Sequence, residues 1–238
     1  MTLSPNLDPR LNAAFDFFPR CRLAADIGAD HGKLALSLVL RGKADRVAVT
    51  DISAESLRKA EALFAGHGAS ERALFLRGDG LTVLPSVPDA LSICGMGGKT
   101  MSDILEKGMD RAFGARLILS PQTEIPLVRR TLYALGYHIT DEKCVVASGR
   151  FYVIICSEPG KASISDEECE LGPCLLRQAG REPVRDYYLW KIGVYSAARN
   201  ESARIRIKWI RDALGKHAAQ RGEAEESEAS PPAPCEAP

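Results

Sequence analysis

No apolar run in this 238-residue chain approaches the ~18 residues that a bilayer-crossing helix needs, which excludes a membrane bundle. There is no net charge, since 31 Lys and Arg meet 31 Asp and Glu. No C-x-x-C pair occurs among the seven cysteines, so the usual zinc and redox spacings are missing. Cys94, Cys144 and Cys156 lie in apolar runs, where a reduced thiol behaves as a small hydrophobe. The four histidines are scattered, and no metal is expected. The opening Met1-Thr2-Leu3-Ser4-Pro5 lacks the basic flank and apolar core of an export signal. A cytoplasmic protein without a membrane partner is therefore expected. What remains is ordinary for a globular chain, with 45% hydrophobic and 26% charged residues. At this length a chain buries roughly 70% of its unfolded surface and needs no staple.

The neutral total conceals a segregation. Residues 177–221 hold 11 basic and 4 acidic side chains, whereas residues 222–238 hold five Glu and no base. The other 176 residues hold 20 basic and 22 acidic side chains. A basic stretch of this kind suits a polyanionic partner or a solvated helix face. Composition divides the chain into a first domain over 1–160, a basic helical domain over 161–221 and an acidic tail over 222–238 that is expected to be disordered.

Apolar runs alternate with helix-like stretches through the first two thirds. Strands are predicted at 22–26, 46–51, 73–77, 90–94 and 116–120, with helices at 31–41, 53–65 and 123–136 between some of them. Ser53 and Thr123 are the expected N-caps, and Asp30 is a candidate for the helix at 31–41. Strands alternating with helices imply a parallel sheet covered on both faces. After Gly136 the pattern changes: 138–147 and 150–157 are extended runs joined by Ser148-Gly149, a hairpin signal. A mostly parallel sheet with an antiparallel edge hairpin is the class I methyltransferase version of the Rossmann-like α/β fold. Beyond Pro159 the periodicity is helical. A short segment is predicted over 171–179 and a longer one over 182–217. Tyr188, Ile192, Tyr195, Ser202, Ile205 and Trp209 form the seam, and a turn at 199–202 could make a hairpin of it.

Ligands of such sheets bind beyond the C-terminal strand ends. Those ends read Asp26-Ile27-Gly28-Ala29-Asp30-His31, Thr50-Asp51-Ile52, Gly78-Asp79-Gly80 and Gly95-Met96-Gly97-Gly98. Gly28 leaves room for backbone to pass close to a ligand. Asp51, 25 residues after Asp26, is placed to accept from two ribose hydroxyls, and Asp79 from an adenine amino group. The glycines after the fourth strand open a gap for a target base. Asp and Gly also make good turns, but three acids at three consecutive strand ends favour an adenosyl ligand. Gly28, Asp30 and Gly32 do not spell G-x-G-x-x-G, and Ile93 stands where a phosphate-binding loop ending in Gly98-Lys99-Thr100 needs Gly. Neither NAD nor ATP is favoured.

The stretches 26–31, 78–81 and 95–98, at these separations, resemble the signatures of the bacterial TrmK family, the tRNA adenine-22 N1-methyltransferases. The resemblance runs from Leu7 to Ser157 and continues more weakly into the helical region, which corresponds to the family's coiled-coil-like, tRNA-holding domain. It implies S-adenosylmethionine as cofactor. Asp26, Gly28 and His31 would surround its methionine end, Asp51 would hold the ribose and Asp79 the adenine, with Ile27, Ile52 and Gly80 also in the cofactor site. Gly95, Met96 and Gly97 would border the methyl-transfer gap, and Arg10 would contact cofactor or RNA. Two departures fall on the substrate side. Gly32-Lys33 stands where the family has a small residue and Tyr, and Ser120-Pro121-Gln122 where it has Gln-Pro-Asn.

Methylation of adenine N1 asks mainly for positioning and exclusion of water, because the nitrogen has a free lone pair. Asp30 and His31 are the candidate catalytic residues. Asp30 either stabilises the cationic product or caps a helix, and His31 either accepts a proton or orders the loop. tRNA is the expected partner, held through Arg177, Arg181, Arg185, Lys191, Arg199, Arg204, Arg206, Lys208 and Arg211. Tyr187, Tyr188, Tyr195, Trp190 and Trp209 are interleaved among them, mostly as helix seam. A methyltransferase for another RNA base or a small molecule, and a non-catalytic RNA-binding module, are the alternatives. The oligomeric state is not set by the sequence.

Overall fold

The computed structural model describes residues 4–228. They separate into two compact units, one ending at Cys174 and the other beginning at Leu175. The first unit is built on seven strands: β1 (Cys21–Ile27), β2 (Ala44–Asp51), β3 (Ala73–Arg77), β4 (Ala90–Cys94), β5 (Arg116–Ser120), β6 (Tyr137–Ala147) and β7 (Arg150–Pro159). Its helices are α1 (Pro9–Phe17), α2 (Lys33–Leu40), α3 (Ala54–Gly66), α4 (Gly98–Gly108), α5 (Ile125–Ala134) and α6 (Asp166–Leu171).

The sheet order is β3-β2-β1-β4-β5-β7-β6. The first five strands pair in parallel, while β7 runs antiparallel to both β5 and β6. The predicted hairpin forms, with Ser148 and Gly149 at φ 48° and 72°, the pair of positive values that suits a two-residue turn. Strand order reverses between β1 and β4, which places the crevice beyond their C-terminal ends. Burial explains the apolar runs: Ala24, Ala25 and Ile27 of β1 and Leu91 and Ile93 of β4 are covered on both faces.

Ser53 caps α3 as expected, its hydroxyl accepting from Ser56 N–H at 3.2 Å. Two other predicted caps do not form. α2 begins at Lys33 with Gly32 in the cap position, so Asp30 lies outside the helix. α5 is preceded by Glu124 at φ 50°, and Thr123 instead accepts through its backbone oxygen from Gly98 N–H at 3.1 Å. The tertiary contact between two loops outweighs the local cap.

The first unit extends past the residue-160 boundary expected from composition. Arg129 of α5 and Glu142 of β6 form a fully buried ion pair at 2.8 Å. Arg129 also donates to the Cys169 carbonyl at 2.7 Å, and Glu142 accepts from Cys174 N–H at 3.0 Å. These bonds tie residues 161–174 to the sheet domain. The helix predicted over 171–179 is absent: α6 stops at Gly172, φ 96°, before Pro173, and only a 3-10 turn at Leu176–Gln178 follows.

The second unit holds α7 (Val184–Ser196) and α8 (Glu201–Glu228). The turn between them is the one expected at 199–202, with Arg199 at φ 48° and Asn200 capping α8 by accepting from Ala203 N–H at 2.8 Å. That turn resets the helical phase. Tyr188 remains in the seam, but between 201 and 218 of α8 the buried positions are Ala203, Ile210 and Ala213, whereas Ser202 and Ile205 are exposed. α8 also runs through 222–228, inside the expected tail. Glu and Ala are good helix formers, and the first proline comes at Pro231. The rest of that tail, 229–238, lies outside the described residues.

Candidate functional site

Asp26 ends β1 almost wholly buried, accepting from the Ser92 hydroxyl at 2.7 Å. Burial pushes its pKa up to about 6. The Ser92 and Ala35 hydrogen bonds and the Arg10 charge pull the other way. Nothing in Ala90-Leu-Ser-Ile-Cys94 except one hydroxyl in an apolar strand marks Ser92 as its partner. Burial likewise pushes the Cys94 thiol up to about 12, which leaves it inert.

The β1 loop turns at Gly28, φ 65°, and its Gly28 and Ala29 N–H groups donate to the Thr50 carbonyl at 2.8 and 3.0 Å. A Cβ at Gly28 would meet the flexible end of the Met96 side chain, and it is the left-handed φ that favours glycine there. Asp51 laces two loops together, accepting from Asp30 N–H at 3.1 Å and from Ser53 N–H at 2.8 Å. Each carboxylate oxygen retains further acceptor capacity. Asp79 pairs with Lys107 through one oxygen.

Two cavities meet at Gly28. One, of about 520 Å³, is polar and includes Arg10, Asp26, Asp30, His31 and Lys33 in its wall. The other, of about 440 Å³, is walled by Ile27, Asp51, Ile52, Asp79, Gly80 and Met96 among others. With Met96 leaning over Gly28, they are two compartments of one crevice. Gly95 stands beyond, at φ 85°. A Cβ there would lie 3.1 Å from Arg10 Nη1 and 3.8 Å from Gln122 Nε2. Gly97 precedes α4, whose first residues are held by the β5 loop, with Lys99 N–H donating to the Glu124 carboxylate at 3.1 Å. Lys99 itself pairs with Asp103 and faces solvent.

The crevice thus gathers the sequence-selected Arg10, Asp26, Ile27, Gly28, Asp30, His31, Asp51, Ile52, Asp79, Gly80 and Met96, with Gly95 beside Arg10 and Gly97 at the start of α4, against Thr123. Asp30 and His31 are a rim pair, 3.5 Å apart and largely exposed. Sequence reasoning missed what orients Arg10. Asp8 caps α1 by accepting from Leu11 N–H at 2.8 Å and lies 3.7 Å from the guanidinium, which also sits over the Tyr152 ring at 5.6 Å. An Asp just before Pro9 was the available signal for the cap.

In the second unit, several of the nine basic residues are engaged locally, Arg177 among them. Lys191 is buried against the Tyr187 and Tyr195 rings, Arg206 covers Tyr195, and Arg185 pairs with Glu182 and Asp186. Arg204, Lys208 and Arg211 share one exposed stripe of α8 at helical spacing. Trp190 is exposed, while Tyr187 and Tyr188 are buried. No described helix is long and apolar enough to cross a membrane, and no His, Cys, Asp and Glu cluster suited to a metal occurs among the described residues.

The matching family model describes a methyltransferase domain and covers residues 7–155. A tRNA (adenine(22)-N(1))-methyltransferase of Bacillus subtilis is 33% identical over 172 residues, 71% of this chain and 72% of that one. The crystal structure of the B. subtilis m1A22 tRNA methyltransferase TrmK superposes with a TM-score of 0.76 at 25% identity, covering 88% of this chain and 96% of that one. The structure of M. capricolum TrmK with S-adenosylhomocysteine shares the fold, with a TM-score of 0.77 at 21% identity, and covers 88% of this chain and 98% of that one. Three strand-end motifs, a sheet with an antiparallel edge and a relative matched over most of both lengths lead to one conclusion: this chain belongs to the TrmK family of tRNA (adenine-22-N1)-methyltransferases.

Proposed function

We propose that this chain methylates N1 of an adenine in tRNA, at position 22, with S-adenosylmethionine as donor. One observation carries the reading: Asp26, Asp51 and Asp79, at the ends of three parallel strands, border a crevice that Gly28 divides into a polar and a nucleoside-sized compartment. The residues fit that cofactor. Gly28 is bare where a side chain would fill the crevice, and Asp51 and Asp79 each offer unused acceptor capacity. In this reading Asp26 and Arg10 hold the charged amino-acid end, Asp51 the ribose and Asp79 the adenine, with Ile52 covering the base. The cofactor supplies an electrophilic methyl group on a sulfonium.

The protein's own work is positional. Adenine N1 attacks with its lone pair, so no group must first remove a proton, and the product base carries a positive charge. Asp30, exposed at the rim beside His31, is assigned to stabilise that charge, and His31 to keep the loop ordered. The side-chain-free Gly95 and Gly97 let the base approach. Arg181, Arg199, Arg204, Lys208 and Arg211 anchor tRNA phosphates, which would place the reaction in the cytoplasm.

The test incubates the purified protein with radiolabelled S-adenosylmethionine and unmodified transcribed tRNA, followed by nucleoside analysis. One-methyladenosine that disappears with Asp26→Ala is the expected result. No incorporation by a protein that still binds the cofactor would remove tRNA as the substrate.

A further inference from the structure

The bare face of Gly95 is overlooked by two side chains of opposite chemical capacity. Arg10 can only donate, and its guanidinium is already set by Asp8 and Tyr152. Gln122 can donate and accept. Its backbone N–H donates to the Met96 carbonyl at 2.8 Å, and Gly95 N–H donates to the Ser120 carbonyl at 3.1 Å, so the loops after β4 and β5 are fastened to each other. The Gln122 residue is exposed, and its carboxamide has no hydrogen-bond partner among the described residues. A fastened backbone thus presents a free amide over the gap through which the target base must come.

Adenine narrows what that amide can do. N1 has to stay free for the methyl group, which leaves the amino group at N6 and the acceptor N7 on the opposite edge. A carboxamide matches this pair, its oxygen accepting from N6–H and its nitrogen donating to N7. Guanine presents acceptors at both O6 and N7, so the same amide cannot satisfy it. Resting on the reading above, we propose that Gln122 recognises the N6/N7 edge of the target adenine and so selects the base while leaving N1 exposed to the donor.

The experiment is a cycle of two changes: Gln122→Leu in the protein, and 7-deazaadenosine at the methylated position of a ligated tRNA. The 7-deaza base has lost the N7 acceptor, and its altered N1 basicity acts on both proteins alike, so the cycle cancels it. Each single change is expected to lower kcat/KM by about ten- to a hundredfold. Together they should lower it little further, with cofactor affinity unchanged. Losses that multiply, or a Gln122→Leu protein as fast as the wild type on the adenosine substrate, would overturn the proposal. If Gln122→Leu does not fold, Gln122→Ala takes its place in the cycle, since the residue is exposed. A wild-type protein that leaves the adenosine substrate untouched overturns the underlying reading instead, and the adenosine arm separates the two failures.

Discussion

The two units use charge in opposite ways. In the first, the charges that matter point inward: Arg129 and Glu142 are fully buried together, and Asp26 is buried under Ser92. In the second, Arg204, Lys208 and Arg211 point outward from one helix face with no core duty. A buried charge is held to one geometry and cannot be removed without exposing its partner to a medium that solvates it poorly. An exposed charge has no fixed geometry and acts as one of a sum. Position is set by the first kind, and attraction by the second.

The largest effect expected of any change is Arg129→Met. Leaving Glu142 unpaired in the core should cost about 3–5 kcal/mol of unfolding free energy, measured by denaturant titration. A loss below 1 kcal/mol would mean that the pair does not organise residues 161–174.

Asp26 gives the next effect, with a sign. Its folded pKa of about 6 lies above the ordinary 3.8, so the fold favours the protonated acid. That contribution is present below pH 4 and is lost as pH rises through about 6, a change of about 3 kcal/mol that Asp26→Asn should flatten. Cofactor binding runs in the reverse sense, because an ammonium held by Asp26 requires the carboxylate. Affinity should weaken progressively as pH falls below 6, by up to about tenfold per unit, and calorimetry from pH 4 to 8 checks both halves.

Reversing Arg204, Lys208 and Arg211 to Glu tests the outward charges. tRNA binding should weaken, and the slope of log affinity against log salt should become shallower by about 3, while cofactor binding holds. An unchanged slope would confine those residues to a solvated face. The smallest effect is expected at Ile52, 73% exposed at the crevice mouth. Ile52→Ser should move stability by less than about 0.5 kcal/mol. If it covers the adenine, cofactor affinity should fall severalfold in the same titration.

The strands were the most legible part of the chain. β3, β4 and β5 have the predicted bounds, because short β-branched and aliphatic runs flanked by Gly, Pro and Asp leave little choice. The hairpin was legible for the same reason, since Ser148-Gly149 tolerates the turn's positive φ values. Helix starts were less legible. Thr123 had the chemistry of a cap, but the α4 N-terminus lies close enough to take its carbonyl. The seam of α8 was displaced because a turn between helices resets the phase that periodicity assumes to be continuous. Within the crevice, the acids and glycines could be chosen from their places after strands. Ser92, Asp8 and Tyr152 could not, because each matters through a contact with a residue distant in the chain.

By itself, the sequence determined the order of strands and helices, the places where the chain turns, and which acids stand at strand ends, since these follow from local sterics and apolar periodicity. The tertiary structure alone decided that Met96 closes over Gly28, that Arg129 and Glu142 draw 161–174 into the first unit, and that Arg10 and Gln122 meet over Gly95. Those are distances between segments far apart in the chain, and only packing brings them within a few ångströms.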